Sequence, residues 1–172
     1  MNTRVTSWQV SNVPGPKLGR AVTPDVAARI IDKAENPLLV VGANITELDS
    51  LLELVIRLSK TGITLTATSN SVKHFRERKV DVEALGLSEL TNLLRDEEWK
   101  GFNGKGNYDL VIFLGIEYWL LSQMANTLKN FTDIETLTLT RYYQPNATFS
   151  FPNLSDDIWI EYLNKVCKKL ES

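Results

Sequence analysis

The sequence predicts an α/β fold, a three-layer sandwich in which helices cover both faces of a mainly parallel sheet. Residues 38–41 and 110–114 are unbroken apolar runs, which are typical of strands that are buried on both faces. Each run ends at a glycine, Gly42 or Gly115, and is followed by a segment with apolar residues at helical spacing. Repeated alternation of strand and helix is characteristic of parallel sheets, so these two units indicate the fold class.

Further helices and strands alternate along the rest of the chain. Residues 1–22 contain Pro14-Gly15-Pro16 and predict an irregular N-terminal arm. Thr23-Pro24-Asp25 predicts a helix start, because a capping hydroxyl, a proline and an acid stand in the favoured order. At 172 residues we expect one α/β domain over residues 23–172. The later predicted elements are a strand at 37–41, a helix at 47–60, a strand at 63–67, short helices from 71 and 88, a strand at 108–114, a helix at 118–130, a strand at 135–140 and a helix from 156 to 170.

Charge and hydropathy argue against several classes of protein. The net charge of −2 does not favour a nucleic-acid partner, which would call for a basic excess. No apolar run approaches the roughly 20 residues that a membrane-spanning helix needs. The N-terminal sequence MNTRVTSWQV lacks the apolar centre of a signal peptide, so we expect a cytoplasmic protein.

The single cysteine, Cys167, and the single histidine, His74, limit the chemistry of the chain. A structural zinc site or an iron–sulfur cluster generally needs about four Cys or His ligands. Any redox chemistry therefore requires a bound cofactor or a partner subunit. Cys167 falls on the apolar stripe of the last helix and is interpreted as a small buried residue. No pattern recruits His74 into a catalytic triad.

The first candidate site consists of the glycine turns 42–44 and 115–117. If both strands are central and parallel, the two turns frame a crevice at one edge of the sheet. Thr46 and Asp49 resemble a capping box, which would place a helix N-terminus there. Free N–H groups and the helix dipole suit a nucleotide phosphate. The alternative is that glycine only permits a tight turn, since no G-x-G-x-x-G motif is present. The candidate cofactor contacts are Gly42, Ala43, Asn44 and Gly115.

The second candidate site is an aromatic segment, residues 141–153, with the sequence RYYQPNATFSFPN. Exposed aromatic residues beside arginine are typical anchors of protein interfaces. In the alternative interpretation, which is compatible with the first, the segment folds back over the sheet edge and buries its own rings. The candidate partner contacts are Arg141, Tyr142, Tyr143, Phe149 and Phe151.

Two further features are interpreted as structural. The basic residues between Lys73 and Lys79 would suit a phosphate or an acidic partner, but a solvated helix face is favoured. The glycine loop 101–106 precedes a strand, whereas a phosphate-binding P-loop follows one, so we expect a flexible connector.

Residues 14–45, 107–131 and 139–166 together resemble the epsilon subunit of archaeal carbon monoxide dehydrogenase, part of the acetyl-CoA decarbonylase/synthase complex. The most specific stretch is YYQPNA followed by SFPN, an acidic helix start and a tryptophan. The strand–glycine units alone also look like Rossmann-like nucleotide-binding folds, such as those of sirtuins and of the central domain of thiamine-diphosphate enzymes.

The resemblance implies a small subunit that is not catalytic alone. It would join the large nickel–iron–sulfur alpha subunit, which interconverts CO and CO2, in an α2ε2 assembly. The small subunit would stabilise the large one or assist electron transfer, with FAD as the acceptor. The alternative is a free-standing protein that binds a nucleotide or a flavin.

Overall fold

The middle layer of the protein is a seven-stranded sheet in which every strand pair is parallel. The structure is a computed structural model that describes residues 17–172. It confirms the predicted α/β class. The strand order is β1-β7-β6-β5-β2-β3-β4. The strands are β1 (Arg20–Ala21), β2 (Pro37–Val41), β3 (Thr64–Ala67), β4 (Glu83–Ala84), β5 (Leu110–Leu114), β6 (Glu135–Thr138) and β7 (Phe149–Ser150).

Helices cover both faces of the sheet and complete the three layers. The helices are α1 (Pro24–Lys33), α2 (Asp49–Ser59), α3 (Ser69–Arg76), α4 (Leu87–Leu94), α5 (Tyr118–Phe131) and α6 (Asp156–Leu170). Buried residues of α1, α2, α3 and α6 share one core cluster, and those of α4 and α5 share the other. None of these helices is long and apolar enough to cross a bilayer.

Strand β2 shows why its sequence is apolar without interruption. Leu39 and Val41 belong to the core on one face of the sheet, whereas Leu38 and Val40 belong to the core on the other. All four side chains are at most 1% exposed. Fully burying a side chain of this kind stabilises the fold by about 1.5–3 kcal/mol. A polar residue at any of these positions would therefore be strongly destabilising.

All strands run parallel, but the order in which they are added to the sheet reverses between the neighbouring strands β2 and β5. From β2 the chain continues to β3 and β4 on one side, and from β5 to β6 and β7 on the other. Such a switch point leaves a crevice outside the carboxyl ends of the two strands, where ligands bind in open α/β sheets. Gly42 and Gly115 immediately follow these strand ends.

The prediction of an irregular arm up to residue 22 is wrong for its last residues. Strand β1 pairs with β7, and the Gly19 N–H donates to the Pro145 carbonyl at 2.9 Å. The segment 141–153, also predicted to be irregular, contains β7. Strands of two residues carry no readable periodicity, which is why β1, β4 and β7 were missed. Residues 1–16 lie outside the described part of the chain.

The predicted capping box after β2 is also wrong. A 3-10 helix (Ala43–Thr46) follows the strand, and α2 begins only at Asp49 with Leu48 as its N-cap and without a side-chain capping bond. The Thr46 hydroxyl instead donates to the Ala43 carbonyl at 3.2 Å. The tight 3-10 turn uses this hydroxyl locally, so Thr46 does not reach the start of α2.

Candidate functional site

The two glycine turns lie side by side at the carboxyl edge of the sheet. The Gly42 N–H donates to the Leu114 carbonyl at 3.0 Å, and the Asn44 N–H donates to the Gly115 carbonyl at 2.9 Å. The Asn44 side-chain amide also donates to Glu117 Oε1 at 3.0 Å. Backbone and side chain together join the turn after β2 to the turn after β5.

The space between these turns is closed. A Cβ atom added to Gly42 would lie 2.2 Å from the Gly115 carbonyl oxygen, and one added to Gly115 would lie 2.6 Å from Ile45 Cγ2. Gly115 also has a φ of +68°, which glycine adopts without strain. Both glycines are thus required by packing. A ligand at this edge would have to lie beside the turns and could not lie between them.

The charges next to the turns are negative. Glu117 occupies the N-cap position of α5, and its exposed carboxylate stands at the positive end of the helix dipole. Glu47, also exposed, follows the 3-10 helix after β2. Carboxylates in these two places oppose the approach of a phosphate. Of the candidate cofactor contacts, Ala43 is exposed, Asn44 is half-buried, and both glycines are buried.

A cavity of about 220 Å³ opens beside the turns. It brings together residues that were predicted to belong to separate sites, because Asn44 and Gly115 meet Arg141 and Tyr142 there. The volume is smaller than the roughly 300–1,000 Å³ of most small-molecule pockets. The other lining residues are Glu47, Ile116, Glu117, Tyr118, Leu121, Thr140 and Trp159.

The aromatic segment 141–153 divides into buried and exposed rings. Tyr143 and Phe151 are 2% and 0% exposed, so the structure contradicts their prediction as surface anchors. Phe149 is half-buried, with the Arg20 guanidinium 5.9 Å from its ring centre. Tyr142 is 47% exposed and remains available to a partner. The segment therefore covers the sheet edge with most of its rings and presents one outward.

Hydrogen bonds hold this segment against the rest of the fold. The Tyr143 hydroxyl donates to the Gly19 carbonyl at 2.7 Å, and the Tyr118 hydroxyl donates to the Tyr143 carbonyl at 2.9 Å. The Asn146 amide donates to Ser122 Oγ at 2.8 Å. Burial raises the pKa of Tyr143, so its hydroxyl stays protonated and keeps donating. The specific YYQPNA stretch thus acts mainly as an internal connection.

Arg141, which lines the cavity, interacts with two nearby side chains. Its guanidinium donates to the Tyr142 hydroxyl and to the Asp156 carboxylate, and lies 4.6 Å from the centre of the Tyr142 ring. The hydrogen bond to Tyr142 and the pair with Asp156 raise the pKa of Arg141. The arginine stays charged, and Asp156 balances its charge.

A second cavity, of about 480 Å³, lies farther along the carboxyl edge. Leu120 of α5 lines this cavity and Tyr118 lines the first one, and Trp119 lies between these two residues in the sequence, on the first turn of α5. Trp119 is 60% exposed. The sequence contained a signal for it, because Trp119 falls outside the apolar stripe that begins at Leu120. The remaining lining residues are Thr68, Asn70, Gly86, Leu87, Ser88 and Glu89.

Cys167 and His74 lie away from this edge. Cys167 is fully buried, with its sulfur 3.7 Å from the Leu54 carbonyl oxygen, and burial raises the pKa of the thiol to about 11. The thiol is therefore protonated at neutral pH and unreactive. His74 is half-buried in the last turn of α3. Within residues 17–172, no three His, Cys, Asp or Glu side chains are grouped to hold a metal ion.

The basic cluster and the glycine loop both make contacts within the fold. Arg78 lies 3.6 Å from the Glu53 carboxylate, and Lys73 and Lys79 are exposed. The glycine loop is a connector but is held in place, since the Phe102 N–H donates to the Tyr108 hydroxyl at 3.0 Å. The Asn103 amide also donates to Asn36 Oδ1 at 2.8 Å.

The comparison with protein families shows which family the chain is related to. The family described as CO dehydrogenase beta subunit/acetyl-CoA synthase epsilon subunit matches residues 2–167. The chain belongs to this family. The match covers all three segments that carried the resemblance, including the specific YYQPNA stretch.

Individual members of the epsilon-subunit family are similar over nearly their whole length. The acetyl-CoA decarbonylase/synthase complex subunit epsilon of Methanothermobacter thermautotrophicus is 38% identical over 168 residues, 96% of each chain. The subunit of the same name from Methanothrix soehngenii is 43% identical over 86% of this chain and 81% of its own. That of Methanocaldococcus jannaschii is 30% identical over 84% of this chain and 83% of its own.

Proposed function

We propose that this chain is an accessory subunit of an acetyl-CoA decarbonylase/synthase complex, where it binds and stabilises the nickel–iron–sulfur carbon monoxide dehydrogenase subunit. The observation that carries the proposal is similarity, over more than 80% of both chains, to relatives named as epsilon subunits of that complex. With one cysteine and one histidine, the chain cannot supply the ligands of the metal clusters itself. An accessory role next to a metal-bearing subunit agrees with both facts.

The carboxyl edge of the sheet is the docking surface that we propose. It presents Trp119 and Tyr142, which are among the large exposed hydrophobic side chains of the described residues. Aromatic residues of this kind, supported by a fixed framework, are typical of interface centres. A stable interface would bury roughly 800 Å² on each partner. We also propose a stoichiometry, with two copies of each subunit in an α2ε2 assembly.

Mixing this chain with the carbon monoxide dehydrogenase subunit tests the proposal. Size-exclusion chromatography with light scattering should show one species with the mass of an α2ε2 complex. The half-life of the large subunit at elevated temperature should increase, because a ligand that binds only the folded state stabilises it. Separate elution of the two subunits at micromolar concentration would contradict the proposal.

A second proposed role is assistance to electron transfer with FAD. It is favoured by the second cavity at the carboxyl edge, which receives the N-termini of α3 and α4, both without a side-chain capping bond. Backbone N–H groups in the first turn of a helix suit a phosphate, and the Glu89 carboxylate, which also lines this cavity, is the charge that opposes one. Contacts of the cofactor with the turn 42–44 and with Gly115 stay a prediction. Because the crevice is closed, the cofactor would have to bind beside these turns.

Calorimetric titration with FAD separates the two roles. We expect binding to the assembled complex and none to the isolated chain, since the described cavities are open and the partner would have to complete the site. FAD binding to the isolated chain would instead favour a free-standing flavin-binding protein. The absence of binding to either form would reject the FAD role and leave the accessory role intact.

A further inference from the structure

Two carboxylates stand at the cavity beside the glycine turns. Glu47 and Glu117 both line it and both are exposed. The hydrogen bond from the Asn44 amide to Glu117 Oε1, at 3.0 Å, holds the Glu117 side chain next to the turn. A carboxylate held in this way is a preorganised acceptor for a cationic group.

Arg141, the cation that lines the cavity, does not cancel these two negative charges. Arg141 pairs with Asp156 and stacks at 4.6 Å on the ring of Tyr142. Counting Asp156 with the lining residues gives three carboxylates against one guanidinium. The lining of the cavity therefore carries a net negative charge, at the place where this type of sheet usually offers a positive one.

One exposed aromatic side chain lines the cavity, and two further exposed apolar residues adjoin lining residues in the sequence. Tyr142 lines it and is 47% exposed. Trp119 follows the lining residue Tyr118 and is 60% exposed, and Ile158 precedes the lining residue Trp159 and is 45% exposed. Exposed aromatic and aliphatic groups around a charged recess are features of a protein-binding surface.

We infer that a lysine or arginine side chain of the carbon monoxide dehydrogenase subunit inserts into this cavity and pairs with Glu47 and Glu117, while Trp119, Tyr142 and Ile158 contact apolar groups around it. The inference rests on the proposed function and names the chemistry of the partner's face. A guanidinium or ammonium group is the charged group that matches the two carboxylates. The cavity of about 220 Å³ suits one side chain better than a whole cofactor.

The test is the double substitution Glu47→Gln and Glu117→Gln in the full chain. Glutamine keeps the size of the side chain and removes its charge. The dissociation constant for the large subunit, measured by biolayer interferometry, should rise about tenfold at roughly 50 mM salt. The difference should shrink at about 500 mM salt, because salt screens charge pairs that are partly exposed.

The matched control is Glu97→Gln with Glu98→Gln. These two exposed carboxylates follow the C-terminus of α4 and lie outside the cavity. The control should bind like the wild type at both salt concentrations. Urea unfolding should show that both double variants are fully folded under the conditions of the binding assay, so that a change in binding cannot be attributed to misfolding.

Three results would overturn the inference. If the wild type binds and the cavity variant binds equally well or more tightly, the cationic side chain is excluded while the accessory role stands. If the wild type forms no complex, the proposed function fails and the inference fails with it. If the cavity variant gains FAD affinity and keeps its full affinity for the large subunit, the cavity belongs to an anionic ligand.

Discussion

Tyr142 and Tyr143 are neighbours in the chain but belong to two different regions of the molecule. Tyr142 is 47% exposed beside the cavity, whereas Tyr143 is 2% exposed and donates to the Gly19 carbonyl. We call the first region the rim, defined by Trp119, Tyr142 and Ile158. The second is the wall, defined by Gly42, Gly115, Tyr143 and Phe151. One short segment thus both closes the sheet edge and presents a surface.

The wall and the rim should respond differently to substitution. Wall residues are in van der Waals or hydrogen-bond contact with the backbone of other elements, so their loss should lower the free energy of unfolding. Rim residues have fewer contacts inside the chain, and the loss of an exposed contact such as that of Arg141 with the Tyr142 ring costs about 0.5–1 kcal/mol. Their loss should instead affect binding of the partner.

The largest effect should come from the wall substitution Gly42→Ala. Its Cβ would meet the Gly115 oxygen at 2.2 Å and two further backbone atoms at 2.8 Å, and backbone atoms cannot turn aside. We expect a loss of about 3 kcal/mol or more in the free energy of unfolding, measured by urea titration.

The control for this substitution is Gly86→Ala. Gly86 has nothing within 4 Å of an added Cβ, and it does not have a positive φ. Because Gly86 is the N-cap of α4, where alanine is a poorer cap than glycine, its replacement should lower the free energy of unfolding by at most about 1 kcal/mol. Equal stability of the two alanine variants would show that the glycine turns do not need their close contact.

A smaller effect on stability is expected from Tyr143→Phe. Removal of the hydroxyl takes away the hydrogen bond that it donates to the carbonyl of buried Gly19, which is one of several bonds between the flank of β1 and the segment. The cost should be about 1–3 kcal/mol. The matched variant Tyr142→Phe removes a rim hydroxyl that accepts from Arg141, and it should cost less because Arg141 is partly exposed and keeps its pair with Asp156. Comparable losses in the two variants would erase the distinction between wall and rim.

The smallest effect on stability is expected from Tyr142→Ala, a rim substitution. The free energy of unfolding should fall by at most about 1 kcal/mol, because the exposed contact with Arg141 is lost. The dissociation constant for the large subunit should rise about tenfold or more, as for an aromatic anchor. Phe131→Ala serves as the control, because Phe131 is 68% exposed at the far end of α5. If both alanine variants bind equally well, Tyr142 is not an anchor.

Local sequence was sufficient for the elements with a strong periodic or apolar signal. Residues 38–41 and 110–114 are strands because only a strand covered on both faces buries every side chain of such a run. The start of α1 at Pro24 and of α6 at Asp156 also agree with the local signals. These elements together determine the fold class, since parallel strands need helical crossovers.

The sequence alone determined the α/β class, the position of the two glycine turns and the family, because each depends on patterns within short stretches. Only the tertiary structure decided which tyrosine faces out and that the crevice between the turns is closed. It also decided that Glu47, Glu117 and Arg141 meet at one cavity. The physical reason is that burial and charge at a site depend on contacts between residues far apart in the chain, which no local pattern records.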